Sequence, residues 1–107
     1  MIKLSIIIPS YNMHDKIDCC LQSIFESTAN KDEYEVIVCD SSNDESQTLL
    51  NKYAKIYSNL KLITNKTKIS TGYARNLAVQ HAVGEYIYML DMDDKLYDNT
   101  VLSKILL

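Results

Sequence analysis

Four short apolar runs, each handing over to a stretch with helical spacing, constrain the fold of this chain more than any other feature. Residues 3–9, KLSIIIP, are rich in isoleucine, as expected of a central parallel strand buried on both faces. Over residues 14–27, Ile17, Leu21, Ile24 and Phe25 recur at helical spacing, with Cys20 on the same side. Residues 35–39 read as a second strand, closed by the polar turn DSSND. Asn43 or Asp44 then caps a helix over residues 45–57 whose apolar stripe is Leu49, Leu50, Tyr53 and Ile56. LKLIT supplies a third strand. A third helix starts near Thr71, carries Ala74, Leu77, Ala78 and Ala82 on one face, and meets its C-terminal stop at Gly84. His81 falls at the packed spacing of that helix. Residues 86–90 read as a buried fourth strand, and DNTVLSKILL opens a last helix capped by Asp98 or Asn99.

The order β-α-β-α-β-α-β-α predicts an α/β fold, a doubly wound, mostly parallel sheet with helices on both faces and right-handed crossovers. A length of 107 residues suits one domain over 1–107, with no linker or repeat. A net charge of −3 with scattered lysines gives no footprint for a nucleic acid polymer. Three cysteines, two of them adjacent at Cys19 and Cys20, form neither a disulfide framework nor a zinc pattern. Only two glycines are present, Gly72 and Gly84, so neither a dinucleotide fingerprint nor a Walker loop can exist. Any nucleotide diphosphate bound here must have its charge met by another means, of which a metal ion is the simplest.

In doubly wound sheets ligands sit beyond the carboxyl ends of the strands, at the switch point of the topology. Three of the four ends are polar: Pro9-Ser10-Tyr11-Asn12, Asp40-Ser41-Ser42-Asn43-Asp44 and Asp91-Met92-Asp93-Asp94. Two carboxylates about 4 Å apart repel by roughly 4 kcal/mol at an effective dielectric near 20, so the last cluster calls for a counter-charge. If the chain stays extended past Leu90, Asp91 and Asp93 share one side and Met92 takes the other. Such a pair is a hard-oxygen site for magnesium or manganese; as a bare motif it reads equally as a solvated loop. Asp40 can accept the ring N–H of a uracil, or close an Asx-turn within DSSND. Tyr11 offers a stacking face or a boundary residue. Arg75, beside Asn76 at the start of the third helix, can hold a base or phosphate, or pair with a neighbouring acid.

With these residues in place, the chain resembles the nucleotide-binding half of family 2 (GT-A fold, Rossmann-like) glycosyltransferases. The likeness runs in order through SIIIPSYN, VCDSSND, YARNLAVQHAVGEYI and MLDMDD. It implies that Pro9 and Tyr11 line a base pocket, that Asp40 holds the base, and that Arg75 and Asn76 support the nucleotide. It further implies that Asp93 contacts the metal, that Asp91 lies nearer the ribose while sharing the cation, and that Asp94 is a looser participant. The implied cofactors are Mn2+ or Mg2+ and a nucleotide-sugar donor, with a UDP-sugar first among donors. The implied reaction is a metal-dependent, inverting transfer to the hydroxyl of a glycan or lipid-linked acceptor in polysaccharide biosynthesis, in the cytoplasm or at the inner face of the membrane.

The sequence departs from the family pattern at Cys39, where an acid is common, and at Ser41, where glycine is usual. No residue suits the general base, which is expected beyond Leu107. A noncatalytic nucleotide-sugar-binding module is therefore the alternative. Self-association through an exposed sheet edge at the fourth strand is also expected. A nucleotidylyltransferase would need glycines after the first strand, and a receiver domain would need acids there and a phospho-acceptor Asp after the third; PSYNMHDK and TNKTK supply none of these.

Overall fold

The computed structural model describes residues 1–106. The chain runs β1 (Leu4–Ser10), α1 (His14–Phe25), β2 (Tyr34–Asp40), α2 (Ser46–Ile56), β3 (Leu60–Thr64), α3 (Thr71–Gln80), β4 (Tyr86–Met89) and α4 (Val101–Ile105). The strands form one sheet in the order β3-β2-β1-β4, with every pairing parallel. This is the α/β architecture expected from the alternation of apolar runs and helical stretches. Leu107, the last residue of the predicted final helix, lies outside the described residues.

Strand parity divides the core. Ile6 and Ile8 of β1, with Val36 and Val38 of β2, pack among Ile17, Leu21 and Ile24 of α1, Leu50 and Tyr53 of α2, and Leu102 of α4. Ile7, Ile37 and Cys39 face the other way, onto Ala74 and Ala78 of α3. Alanine there lets the helix approach the sheet closely, so the start of α3 reaches the carboxyl ends of β1 and β2. Ser70 fixes that start, its Oγ accepting from Tyr73 N at 3.1 Å.

Several expectations are corrected. β4 is the sheet edge that the sequence leads one to expect, paired only with β1, but it is not buried: Tyr86, Ile87 and Met89 are 66%, 41% and 47% exposed. No helix among the described residues packs closely over this strand, so its side chains stay open to solvent whatever their hydrophobicity. Ile56 of the proposed stripe is exposed, because Leu50 and Tyr53 face the sheet and Ile56 sits at the last turn. His81 is exposed too, at the C-cap of α3, its Nδ1 2.9 Å from Leu77 O. Gly84 does not stop α3, which ends four residues earlier at Gln80. It is needed for contact instead: a Cβ there would lie 2.5 Å from Ser5 Oγ and 2.7 Å from Ser5 N. Asp44 meets the capping expectation in another form, its carboxylate accepting from Ser46 N at 2.8 Å just ahead of α2.

Candidate functional site

A cleft of about 570 Å³ opens at the carboxyl ends of the strands. The connections run from β1 outward to β3 and then return to β4 on the other side of β1, so the cleft lies at the switch point. Its walls come from Pro9 and Ser10 at the end of β1 with Tyr11 just after it, Ser41 after β2, residues 68–71 with Ala74 and Arg75 of α3, and Asp91, Met92 and Asp93 after β4.

The acids converge, but not as an extended strand. The Asp94 amide donates to Asp91 O at 3.0 Å, closing a turn over 91–94. Met92 is only 2% exposed and acts as the apolar anchor of this turn. Cys20 Sγ makes a long contact of 3.9 Å with Asp91 O from below. Burial pushes that thiol up to about 12, helped by Cys19 and then by the negative field of Asp94, Asp93 and Asp91, so it stays neutral. The turn brings Asp94 in as a full member: one carboxylate oxygen from each of Asp91, Asp93 and Asp94 falls within 4.8 Å of the others. In an octahedron with bonds of about 2.1 Å, neighbouring ligands lie roughly 3 Å apart and opposite ones roughly 4 Å, so these exposed side chains would have to close by about one to two ångström around magnesium, and similarly around manganese. Three carboxylates without nitrogen or sulfur are a hard-oxygen donor set. The residues present fit the cation.

Arg75 reaches the same turn, its Nη2 2.8 Å from Asp91 Oδ1. It thereby takes the acid-pairing role left open by the sequence, while its Nε remains buried and unpartnered. Ser10 Oγ is likewise buried without a partner, and both residues line the cleft. Buried polar atoms are seldom left unpaired. Asn76 is exposed and does not line the cleft.

Asp40 is fully buried, its carboxylate accepting from Ser42 Oγ at 2.6 Å and Ser42 N at 3.1 Å. This is the Asx-turn, and it keeps Asp40 behind Ser41 rather than on the cleft wall. Tyr11 is half-buried and lines the cleft beside Pro9.

Two site-building residues were missed. Asn12 adopts a positive φ of 50° and clamps the β1 and β2 ends: its amide donates to Ser42 Oγ at 2.8 Å, and its side chain exchanges hydrogen bonds with Asn43 at 2.9 and 3.0 Å. An asparagine after a strand tolerates that conformation, which was the available signal. Lys68 lines the cleft with its Nζ 4.6 Å from the Tyr11 ring centroid. Nothing in NKTKIS marked it.

The profile of "Glycosyl transferase family 2" matches residues 5–106. A poly(ribitol-phosphate) β-glucosyltransferase of Bacillus spizizenii is 41% identical over 102 residues, which cover 94% of this chain and 16% of the relative. The chain spans only 16% to 36% of the length of the first three curated relatives it matches. Among solved structures, Staphylococcus aureus TarS 1-349 in complex with UDP-GlcNAc superposes with a TM-score of 0.91 at 32% identity, covering 98% of this chain and 30% of that one. The mannosyltransferase PcManGT of Pyrobaculum calidifontis, in complex with GDP-Man and Mn2+, gives 0.88 at 27% identity, covering 97% and 31%.

Proposed function

The chain belongs to glycosyl transferase family 2, and from that membership we propose that it supplies the donor and metal site of a glycosyltransferase acting on a nucleotide-diphosphate sugar. The observation that carries the reading is the convergence of Tyr11, Arg75, Asp91 and Asp93 on one switch-point cleft, with Asp94 gathered beside the two acids. Its size suits a nucleotide. Pro9 and Tyr11 stack the base, and Asp91 and Asp93 hold Mn2+ or Mg2+, with Asp94 beside them. When bound, the cation supplies Lewis-acid stabilisation of the departing diphosphate. Arg75 keeps Asp91 in place and offers its unpartnered Nε to the nucleotide. Asn76, exposed and outside the cleft, takes no direct part in it. Asp40, fully buried and off the cleft wall, receives the base N–H only if the turn at Ser41 opens, a cost that sharpens base choice.

The reaction proposed is an inverting transfer to the hydroxyl of a glycan or lipid-linked acceptor, with a UDP-sugar as first choice of donor. The similarity to a structure holding UDP-GlcNAc and to one holding GDP-Man and Mn2+ supports the donor class and the cation. Among the described residues no helix is long and apolar enough to cross a membrane; the cytoplasm, or the inner face of its membrane, is the setting that a nucleotide-activated donor favours.

Calorimetric titration of the chain with UDP, GDP and dTDP in the presence of manganese tests the base assignment. UDP is expected to bind at least several-fold tighter than the others, and Tyr11→Ala to weaken it by about tenfold, as loss of one stacked base would. Equal affinity for all three, unchanged in Tyr11→Ala, contradicts the base pocket.

A further inference from the structure

The Tyr11 ring that the donor reading assigns to a base carries Lys68 over one of its faces. Both residues line the cleft, and the ammonium stands 4.6 Å from the ring centroid, inside the range of cation–π attraction. Their supports converge on the end of β2. The Tyr11 segment is tied to it through Asn12 N to Ser42 Oγ at 2.8 Å. The Lys68 segment is tied through Asn65 N to Asp40 O at 2.9 Å and, more weakly, through Ile69 N to Ser41 Oγ at 3.5 Å. Ser41 is also where this chain departs from the glycine that its resemblance leads one to expect. The serine thus has a use that glycine could not supply, holding the backbone next to Lys68.

Charge gives the second strand of the argument. The cleft carries Asp91 and Asp93 against Arg75 and Lys68, and Arg75 is already paired with Asp91. Among the described residues Lys68 has no ion-pair partner within 4 Å, so it is the cleft cation free to meet an incoming anion. A base and an ammonium cannot share one ring face. A nucleoside diphosphate whose base takes the face under Lys68 displaces the ammonium from Tyr11 and at the same time brings negative charge within reach of its flexible stem.

Resting on the donor-site reading, we propose that Lys68 is a specificity-determining residue that exchanges the Tyr11 ring for the diphosphate, so that the cleft selects phosphorylated nucleosides over free ones. Uridine has to displace the ammonium with nothing in return, whereas UDP replaces the lost contact by a charge-assisted one. Ser41 sets the position from which Lys68 makes the exchange.

The test is calorimetric titration of wild type, Lys68→Met and Ser41→Gly with UDP and with uridine, both in the presence of manganese. Lys68 is exposed, so its replacement leaves the fold intact, as thermal unfolding will verify. Lys68→Met is expected to weaken UDP by about tenfold, the loss of one charged hydrogen bond. It should tighten uridine by about two- to fivefold, the gain from removing one exposed cation–π competitor. Ser41→Gly should move both ligands in the same two directions by smaller factors. Wild-type protein that binds neither ligand contradicts the donor-site reading and this inference with it. Wild type that binds UDP, with Lys68→Met changing both affinities in one direction or neither of them, overturns this inference alone.

Discussion

Glu35 is the residue whose role most exceeded its sequence signal. It stands in a strand buried from end to end, at the amino side of the sheet and away from the cleft. Its carboxylate accepts from Ser5 Oγ at 2.6 Å and Val83 N at 2.7 Å, and pairs with Lys61 Nζ at 2.8 Å. Gly84 N in turn donates to Ser5 Oγ at 2.9 Å, so one carboxylate ties β1, β2, β3 and the approach to β4 together. Burial pushes Glu35 up, but the hydrogen bonds from Lys61, Ser5 and Val83, with the Lys61 charge, outweigh it and hold the group below its usual value. Because the folded-state value is the lower one, the stabilisation is complete above the unfolded value of about 4.3 and is lost as pH falls through the folded value. Denaturant unfolding from pH 7 down to pH 3 should therefore show wild type losing its advantage over Glu35→Gln in the acid range. A constant difference across that range would contradict the role given to the charge. Sequence could not supply this network, since its members lie 30 and 48 positions from Glu35 and share no pattern.

At the scale of elements, β1, α1 and β2 were legible because each is buried as its period demands. Ile17, Cys20, Leu21, Ile24 and Phe25 all face the core of α1 as their spacing requires. The exit from α3 was less so. Helical spacing was extended through His81 and Ala82, whereas the helix closes at Gln80 because the chain must turn in order to bring Gly84 against Ser5. The acid turn was read correctly as a cluster and wrongly as an extended segment. A turn satisfies both needs, burying Met92 while gathering three carboxylates instead of two. At β4 the edge position is legible, but the exposure of Ile87 and Met89 is not, since hydrophobicity does not report whether a helix covers the strand's faces. Its free edge and exposed Tyr86, Ile87 and Met89 support the proposal that the chain self-associates there. Sedimentation velocity over a wide concentration range should show a concentration-dependent shift that Ile87→Lys abolishes. A wild-type monomer at every concentration would contradict it.

For the whole molecule, the topology explains why so few motifs in one short chain cooperate. Placing β1 between β2 and β4 puts PSYN, DSSND and LDMDD on a single rim, while α3, packed on the sheet through Ala74 and Ala78, delivers Arg75 and the loop ahead of it delivers Lys68. The rim, and the acids on it, could be read from strand ends alone. For Asp40 and Arg75 the sequence offers the Asx-turn and the acid pairing as alternatives but does not choose between them and ligand contacts, because each depends on which of several available partners lies nearest in space.

The central claim is that the acid turn exists to hold the cation that holds the diphosphate. It is tested most directly by titrating Mn2+ into wild type and Asp93→Ala, with and without UDP, and following free manganese by its electron paramagnetic resonance. UDP is expected to tighten manganese binding by at least tenfold in the wild type, and UDP and manganese to lose that mutual dependence in the variant. Manganese that binds the two proteins equally well, or a wild type in which UDP leaves manganese binding unchanged, would contradict the account.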